Sequence, residues 1–155
     1  SNYYSIPGLD LYDITRDAYS FDGHSPVIAH PPCAQWSRLR HFAKENQYER
    51  DLAYFCLSAV QRNGGIFEHP AGTSFFKAAG VPRKNLFSVN QSWWGFQARK
   101  TTYLYFVDCK PLAFPLNFTA ISKTVVQLST AQRAKMPLSF CKYLVDCVAA
   151  ALRVS

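Results

Sequence analysis

The chain has 155 residues, 48% of them hydrophobic and 15% aromatic, and its 17 Lys and Arg outweigh 10 Asp and Glu to leave a net charge of +7. That length and apolar content fit a single domain over residues 1–155 with a real core, and the basic balance favours a polyanionic partner such as nucleic acid. No apolar stretch reaches membrane-spanning length and no signal peptide is recognisable; five cysteines, odd in number and without Cys-x-x-Cys spacing, exclude a disulfide framework or zinc knuckle and fit a reducing, cytoplasmic setting.

Near the start, Gly8 and Gly23 stand alone and read as turn residues. The apolar run Pro26-Val27-Ile28-Ala29 is the first predicted strand. It stops at Pro31-Pro32-Cys33, where a rigid turn fixes the direction of the next side chain and presents the Cys33 thiol at a sheet edge. A helix is predicted over 47–63, with Leu52, Phe55, Cys56, Ala59 and Val60 on one face and Asn63-Gly64-Gly65 ending it. A second strand follows in Gly65-Ile66-Phe67-Glu68, its acid standing just before His69-Pro70. Phe75 and Phe76 belong to a short helical piece that ends at Gly80-Val81-Pro82, residues 89–92 are extended, and 102–107 form a third strand. Pro137 suits a first helical position, and Cys141, Leu144, Val145, Val148 and Leu152 then recur at helical spacing, as in a helix that covers a sheet. Alternating strands and helices predict an α/β fold with a mainly parallel sheet flanked by helices.

In such a sheet, groups at the carboxyl ends of neighbouring strands converge on one crevice, which pairs Cys33 with Glu68. His30 and His69 each adjoin one of these segments; a Cys33–His69 pair makes a thiol hydrolase site conceivable, and a histidine there also suits orientation of Glu68. Zinc deaminases place a His-x-Glu motif before Pro-Cys-x-x-Cys, and this chain has the reverse order and no second cysteine. No metal site is expected. The basic stretch Arg38-Leu39-Arg40-His41 with Lys44 reads either as a solvated face or as phosphate contacts.

Together these segments resemble the DNA (cytosine-5) methyltransferases. Pro32-Cys33 with Trp36 and Ser37 is similar to the family's Pro-Cys-Gln-x-Phe-Ser motif, and Phe67-Glu68 is similar to its strand ending in Glu-Asn-Val. The stretch from Gly95 to Thr102 stands at its Gln-x-Arg-x-Arg motif, with Ala98, Lys100 and Thr102 replacing the three named side chains. Segments 127–133 and 136–137 are similar to the family's closing elements, and Asp13 stands where the family places an acid that touches the cofactor. The resemblance implies a Rossmann-like, N-terminally truncated methyltransferase-type core. It implies Cys33 as nucleophile at carbon 6 of a pyrimidine, a protonated Glu68 donating to N3, and Arg99 or Lys100 holding a phosphate or the carbonyl oxygen, with Pro32, Trp36, Ser37, His69, Trp94 and Arg99 around the substrate. The family's Phe-x-Gly-x-Gly loop for S-adenosylmethionine has no counterpart here, so this chain alone is expected to hold no cofactor unless a partner supplies that element. Residues 108–123 fill the place of a recognition domain. Two functions are therefore open: an enzyme acting on a pyrimidine of DNA, or a non-catalytic DNA-binding descendant, a regulator or decoy.

Overall fold

The structure of the protein, a computed structural model, describes residues 2–38, 40–42, 44–115, 121 and 123–154. Leu39 in the basic stretch, and 116–120 and 122 in the segment standing where a recognition domain would be, lie outside the described residues.

The main elements are β1 (Val27–Ala29), α1 (Gln47–Asn63), β2 (Gly65–Pro70), α2 (Phe75–Ala78), β3 (Leu86–Asn90), β4 (Thr101–Val107), α3 (Thr130–Ala134) and α4 (Leu138–Val154), joined by short 3-10 turns. The strands form one sheet in the order β1-β2-β4-β3. β1 and β2 run parallel, joined by α1 as the crossover, whereas β4 is antiparallel to both β2 and β3. The fold is α/β, but its sheet is mixed and mostly antiparallel, which corrects the expected parallel sheet. The reason lies in chain length: residues 91–100 connect β3 to β4, too short a link for a helical crossover, so the strands fold back on each other.

The sequence dictates α1 closely. The Asn46 side chain accepts from the Glu49 N–H at 3.2 Å to cap its start, and Gly64, at φ 78°, ends it while donating to the Val60 carbonyl at 2.9 Å. Gly65 then enters β2 at φ 121°. A Cβ there would lie 2.0 Å from the Val27 carbonyl oxygen, so the parallel pair closes only on glycine.

Two cores sandwich the sheet. On one face Phe67, Phe75, Phe76, Trp36, Leu57 and Val60 pack beneath α1 and α2; on the other Ile66, Leu104 and Val89 meet Phe140, Leu144 and Cys147 of α4. Each fully buried leucine or phenylalanine contributes about 1.5–3 kcal/mol of transfer free energy, so α4 is held by packing more than by intrinsic helix propensity. Among the described residues no helix is long and apolar enough to cross a membrane.

Candidate functional site

Successive residues of a strand face opposite sides of the sheet, so β2 directs Ile66 and Glu68 toward α4 and Phe67 and His69 toward α1. The parallel register sets Ala29 opposite Phe67, which brings the following residue, His30, beside Glu68. Glu68 is only 6% exposed. Its Oε2 lies 3.1 Å from His30 Nδ1, and its Oε1 accepts from the Thr102 hydroxyl at 3.1 Å and the Gln91 amide at 3.3 Å. Gln91 also donates to Thr102 Oγ1 at 3.0 Å, and His30 Nε2 sits 2.7 Å from the Tyr3 hydroxyl. A buried carboxyl with this many partners is held in one orientation.

Burial works to raise the Glu68 pKa, but the hydrogen bond and charge of His30, helped by Lys100 and His69, outweigh it and leave the carboxyl below its ordinary value. That direction favours the carboxylate, whereas the resemblance implies a protonated Glu68. Cys33 follows Pro31-Pro32 in the irregular segment between β1 and a 3-10 turn at Ala34–Trp36 and is half-buried. Burial raises its thiol pKa, the Glu68 charge raises it further, and Lys100 opposes both. Lys100, at the mouth of β4, donates its ammonium to the carbonyls of Arg133 at 2.8 Å and Lys135 at 3.2 Å, where α3 ends. Burial lowers its pKa, while Glu68 and Cys33 pull it up. Cys33, Glu68 and Lys100 thus share one electrostatic neighbourhood.

The other expected site residues scatter. His69 is wholly buried on the opposite face of β2, stacked on Phe67, with Nδ1 2.6 Å from the Thr73 hydroxyl. It neither orients Glu68 nor faces a substrate, because strand alternation turns it into the aromatic core. Burial lowers its pKa to about 4. Trp36 and Trp94 are core as well: Trp36 meets Phe75 edge-on at 5.1 Å, and Trp94 packs on Phe140 and Tyr143 at 4.8 and 4.9 Å between ring centroids. A base stacks on neither without opening the core. Pro32 is exposed beside Cys33, and Ser37 donates back to the Ala34 carbonyl at 3.2 Å. Asp13 sits in an N-terminal turn, where Tyr4 donates to one oxygen and the Thr15 N–H and hydroxyl to the other, each of these two at 2.8 Å. Its carboxylate is thus engaged within that turn, and Gly8 and Gly23 lie outside any strand-to-helix turn. Among the described residues no cluster of three or more His, Cys, Asp or Glu is arranged to hold a metal ion.

Two surface pockets flank the same end of the sheet. One, about 210 Å³, is lined by Arg38, Arg40, Trp36 and the turn Ala71–Ser74. The other, about 280 Å³, is lined by Arg99, half-buried Trp93, Ser88, Asn90, Ser92 and Thr101. The Ala71 N–H, at the edge of the first, donates to the Thr101 carbonyl, at the edge of the second, at 3.1 Å, and Cys33, Glu68 and Lys100 line neither pocket.

No protein-family model, curated protein or solved structure matches this chain. Motif reading passed over Tyr3 and Gln91, and it named Thr102 only as a replaced arginine, while His30 stands in the place that His69 was expected to take. His30 carried a signal, since it directly follows the strand paired with the one bearing Glu68. Tyr3 carried none: the contact spans the N-terminal turn and β1 and has no local pattern.

Proposed function

We propose that the protein acts on a pyrimidine base of a nucleic acid, DNA in the first instance. Cys33 adds to carbon 6 of the ring, Glu68 supplies the proton that N3 gains, and Lys100 holds the charge that develops or an adjoining phosphate. On this reading the domain is a Rossmann-like, methyltransferase-type core related to the cytosine-5 enzymes, working in the cytoplasm, with any methyl donor held by an element outside this chain or by a partner protein.

The observation that carries the reading is that the half-buried thiol after β1, the buried carboxyl of β2 and the ammonium before β4 lie near enough for the charges of Glu68 and Lys100 both to act on Cys33. The two surface pockets add to it for binding, since Arg38 and Arg40 in one and Arg99 with Trp93 in the other suit phosphates and a stacked base of a single strand, while Cys33, Glu68 and Lys100 line neither. One observation favours the second reading, a nucleic-acid-binding protein without catalysis. The Cys33 thiol is held protonated by burial and by Glu68.

The test is an oligonucleotide with one pyrimidin-2-one, a ring that accepts a thiol at carbon 6 without any methyl donor. An adduct that survives denaturing electrophoresis, forms better on single strands than on duplex and disappears in Cys33→Ser supports the enzyme. Salt-sensitive binding without an adduct selects the second reading, and neither binding nor adduct removes both.

A further inference from the structure

The site holds two groups in the protonation states opposite to those the proposed addition uses. Glu68 is a carboxylate where a proton donor is needed, and Cys33 is a thiol, partly because of the Glu68 charge, where a thiolate is needed. A chain of side chains outside the resembling motifs reaches this carboxylate. His30 Nδ1 lies 3.1 Å from Glu68 Oε2, His30 Nε2 lies 2.7 Å from the Tyr3 hydroxyl, and Tyr3 is in turn hydrogen-bonded to Cys141 of α4. Tyr3 is 7% exposed and the Glu68 side chain 8%, whereas the His30 side chain keeps 18% of its surface open to solvent.

We propose that His30 is the immediate proton donor to Glu68 and that Tyr3 fixes the tautomer of its ring, so that one proton shift across the His30–Glu68 hydrogen bond prepares both reacting groups. The inference rests on the Cys33–Glu68 reading above. With His30 as imidazolium, Nδ1–H donates to Oε2 and Nε2–H donates to the Tyr3 oxygen. Transfer of the Nδ1 proton to Oε2 leaves a neutral ring that still carries the Nε2 proton and its bond to Tyr3. The same transfer removes the negative charge beside Cys33, which favours loss of the thiol proton to water, while Lys100 keeps its charge nearby. The Cys33 sulfur then bonds to carbon 6, the C5=C6 pair moves to C5=C4, and the C4=N3 pair takes the Glu68 proton at N3. Glu68 is again a carboxylate, and the neutral His30 ring, 18% of whose side chain is open to solvent, takes a proton back from water.

The titratable groups that face this pair are Tyr3 from the N-terminal turn, Cys141 from α4, Cys33 from the loop after β1 and Lys100 from β4, with His69 behind Glu68 on the far side of β2. Burial, and the charges of Cys141 and Glu68, hold the Tyr3 hydroxyl protonated, so it anchors the ring and does not itself donate a proton to the reaction. His30 and Tyr3 are positioning residues: they act through Glu68.

Two measurements on the full chain test this. In the first, the rate of adduct formation with the pyrimidin-2-one oligonucleotide is followed against pH for the wild type, His30→Gln, His30→Ala and Tyr3→Phe. His30→Gln retains a donor to Glu68 but no transferable proton, and it is expected to slow the adduct about 100-fold at unchanged oligonucleotide affinity. Added imidazole should restore part of the rate in His30→Ala, which a purely structural role for His30 does not predict, and Tyr3→Phe should slow the reaction less. A His30→Gln rate and pH profile equal to wild type overturns the inference while leaving the Cys33 reading intact. In the second, the Glu68 carboxyl-carbon resonance is titrated in the wild type and His30→Gln without nucleic acid. The Glu68 pKa should rise in His30→Gln, because the hydrogen bond and charge of His30 hold it down. A Glu68 titration unchanged in the variant overturns the inference, whether or not any adduct forms.

Discussion

His69 gives the sharpest stability prediction, because its environment is apolar and its substitution is nearly isosteric. The ring lies among Phe67, Phe75 and Phe76, its Nε2 has no hydrogen-bond partner, and burial takes its pKa from 6.5 to about 4. The unfolded chain binds a proton here below pH 6.5, and the folded chain resists it until about pH 4. Stability from this group is therefore full above pH 6.5, falls as the pH drops and is lost below about 4. At about 1.4 kcal/mol per pKa unit, the loss amounts to roughly 3 kcal/mol, a large part of the stability of a domain this size. His69→Phe removes the titration and fills the same space. Thr73 loses its bond to the ring but still donates to the Pro70 carbonyl at 3.1 Å, so the variant should match or exceed wild-type stability at pH 7. Urea unfolding at pH 7 and pH 4, followed by tryptophan fluorescence, is the assay. Wild type should lose about 3 kcal/mol more than His69→Phe over that interval. Equal losses refute the reasoning, because Glu68 and the surface carboxylates titrate alike in both proteins.

Other outcomes follow from the same geometry. Gly65→Ala sets a methyl 2.0 Å from the Val27 carbonyl oxygen and should cost upwards of about 3 kcal/mol, read as a fall in urea midpoint or loss of folded protein; near-normal stability would mean that β1 and β2 pair differently. Glu68→Gln removes a charge that holds the Cys33 thiol up, so alkylation of Cys33 by iodoacetamide at pH 7 should become several-fold faster, and Lys100→Met should make it slower. Unchanged rates in both variants would separate Cys33 from the other two groups.

Local pattern reached the elements whose signals are local. The 47–63 helix is legible because its apolar residues share one face and Asn63-Gly64-Gly65 ends it, and the spacing from Pro137 onward marks α4 for the same kind of reason. Sheet direction is a different matter. The alternation of elements suggested parallel strands, but the short link between Asn90 and Thr101 was the better guide, since it forces β3 and β4 to pair as neighbours antiparallel to each other. At the site, the position of Cys33 and Glu68 near strand ends leads to the expectation that they act together, and what the structure adds is that the Glu68 charge reaches Cys33. Strand alternation, applied to Glu68 and His69, already assigns them to opposite faces, and proximity in sequence concealed it. Trp36 and Trp94 look alike as exposed stackers and as core residues until α2 and α4 are packed over them, which is tertiary information. Tyr3 and Gln91 reach Glu68 only through the fold.

The central claim is that Cys33 is a nucleophile toward a pyrimidine ring, and mass spectrometry of the trapped protein tests it most directly. After incubation with a single-stranded pyrimidin-2-one oligonucleotide and nuclease digestion, the account predicts one added nucleotide remnant on the tryptic peptide spanning residues 17–38, attached at Cys33 and absent from Cys33→Ser and Glu68→Ala. An adduct placed on Cys56, Cys109, Cys141 or Cys147 instead, or an unmodified Cys33 under conditions where the oligonucleotide is bound, would contradict it.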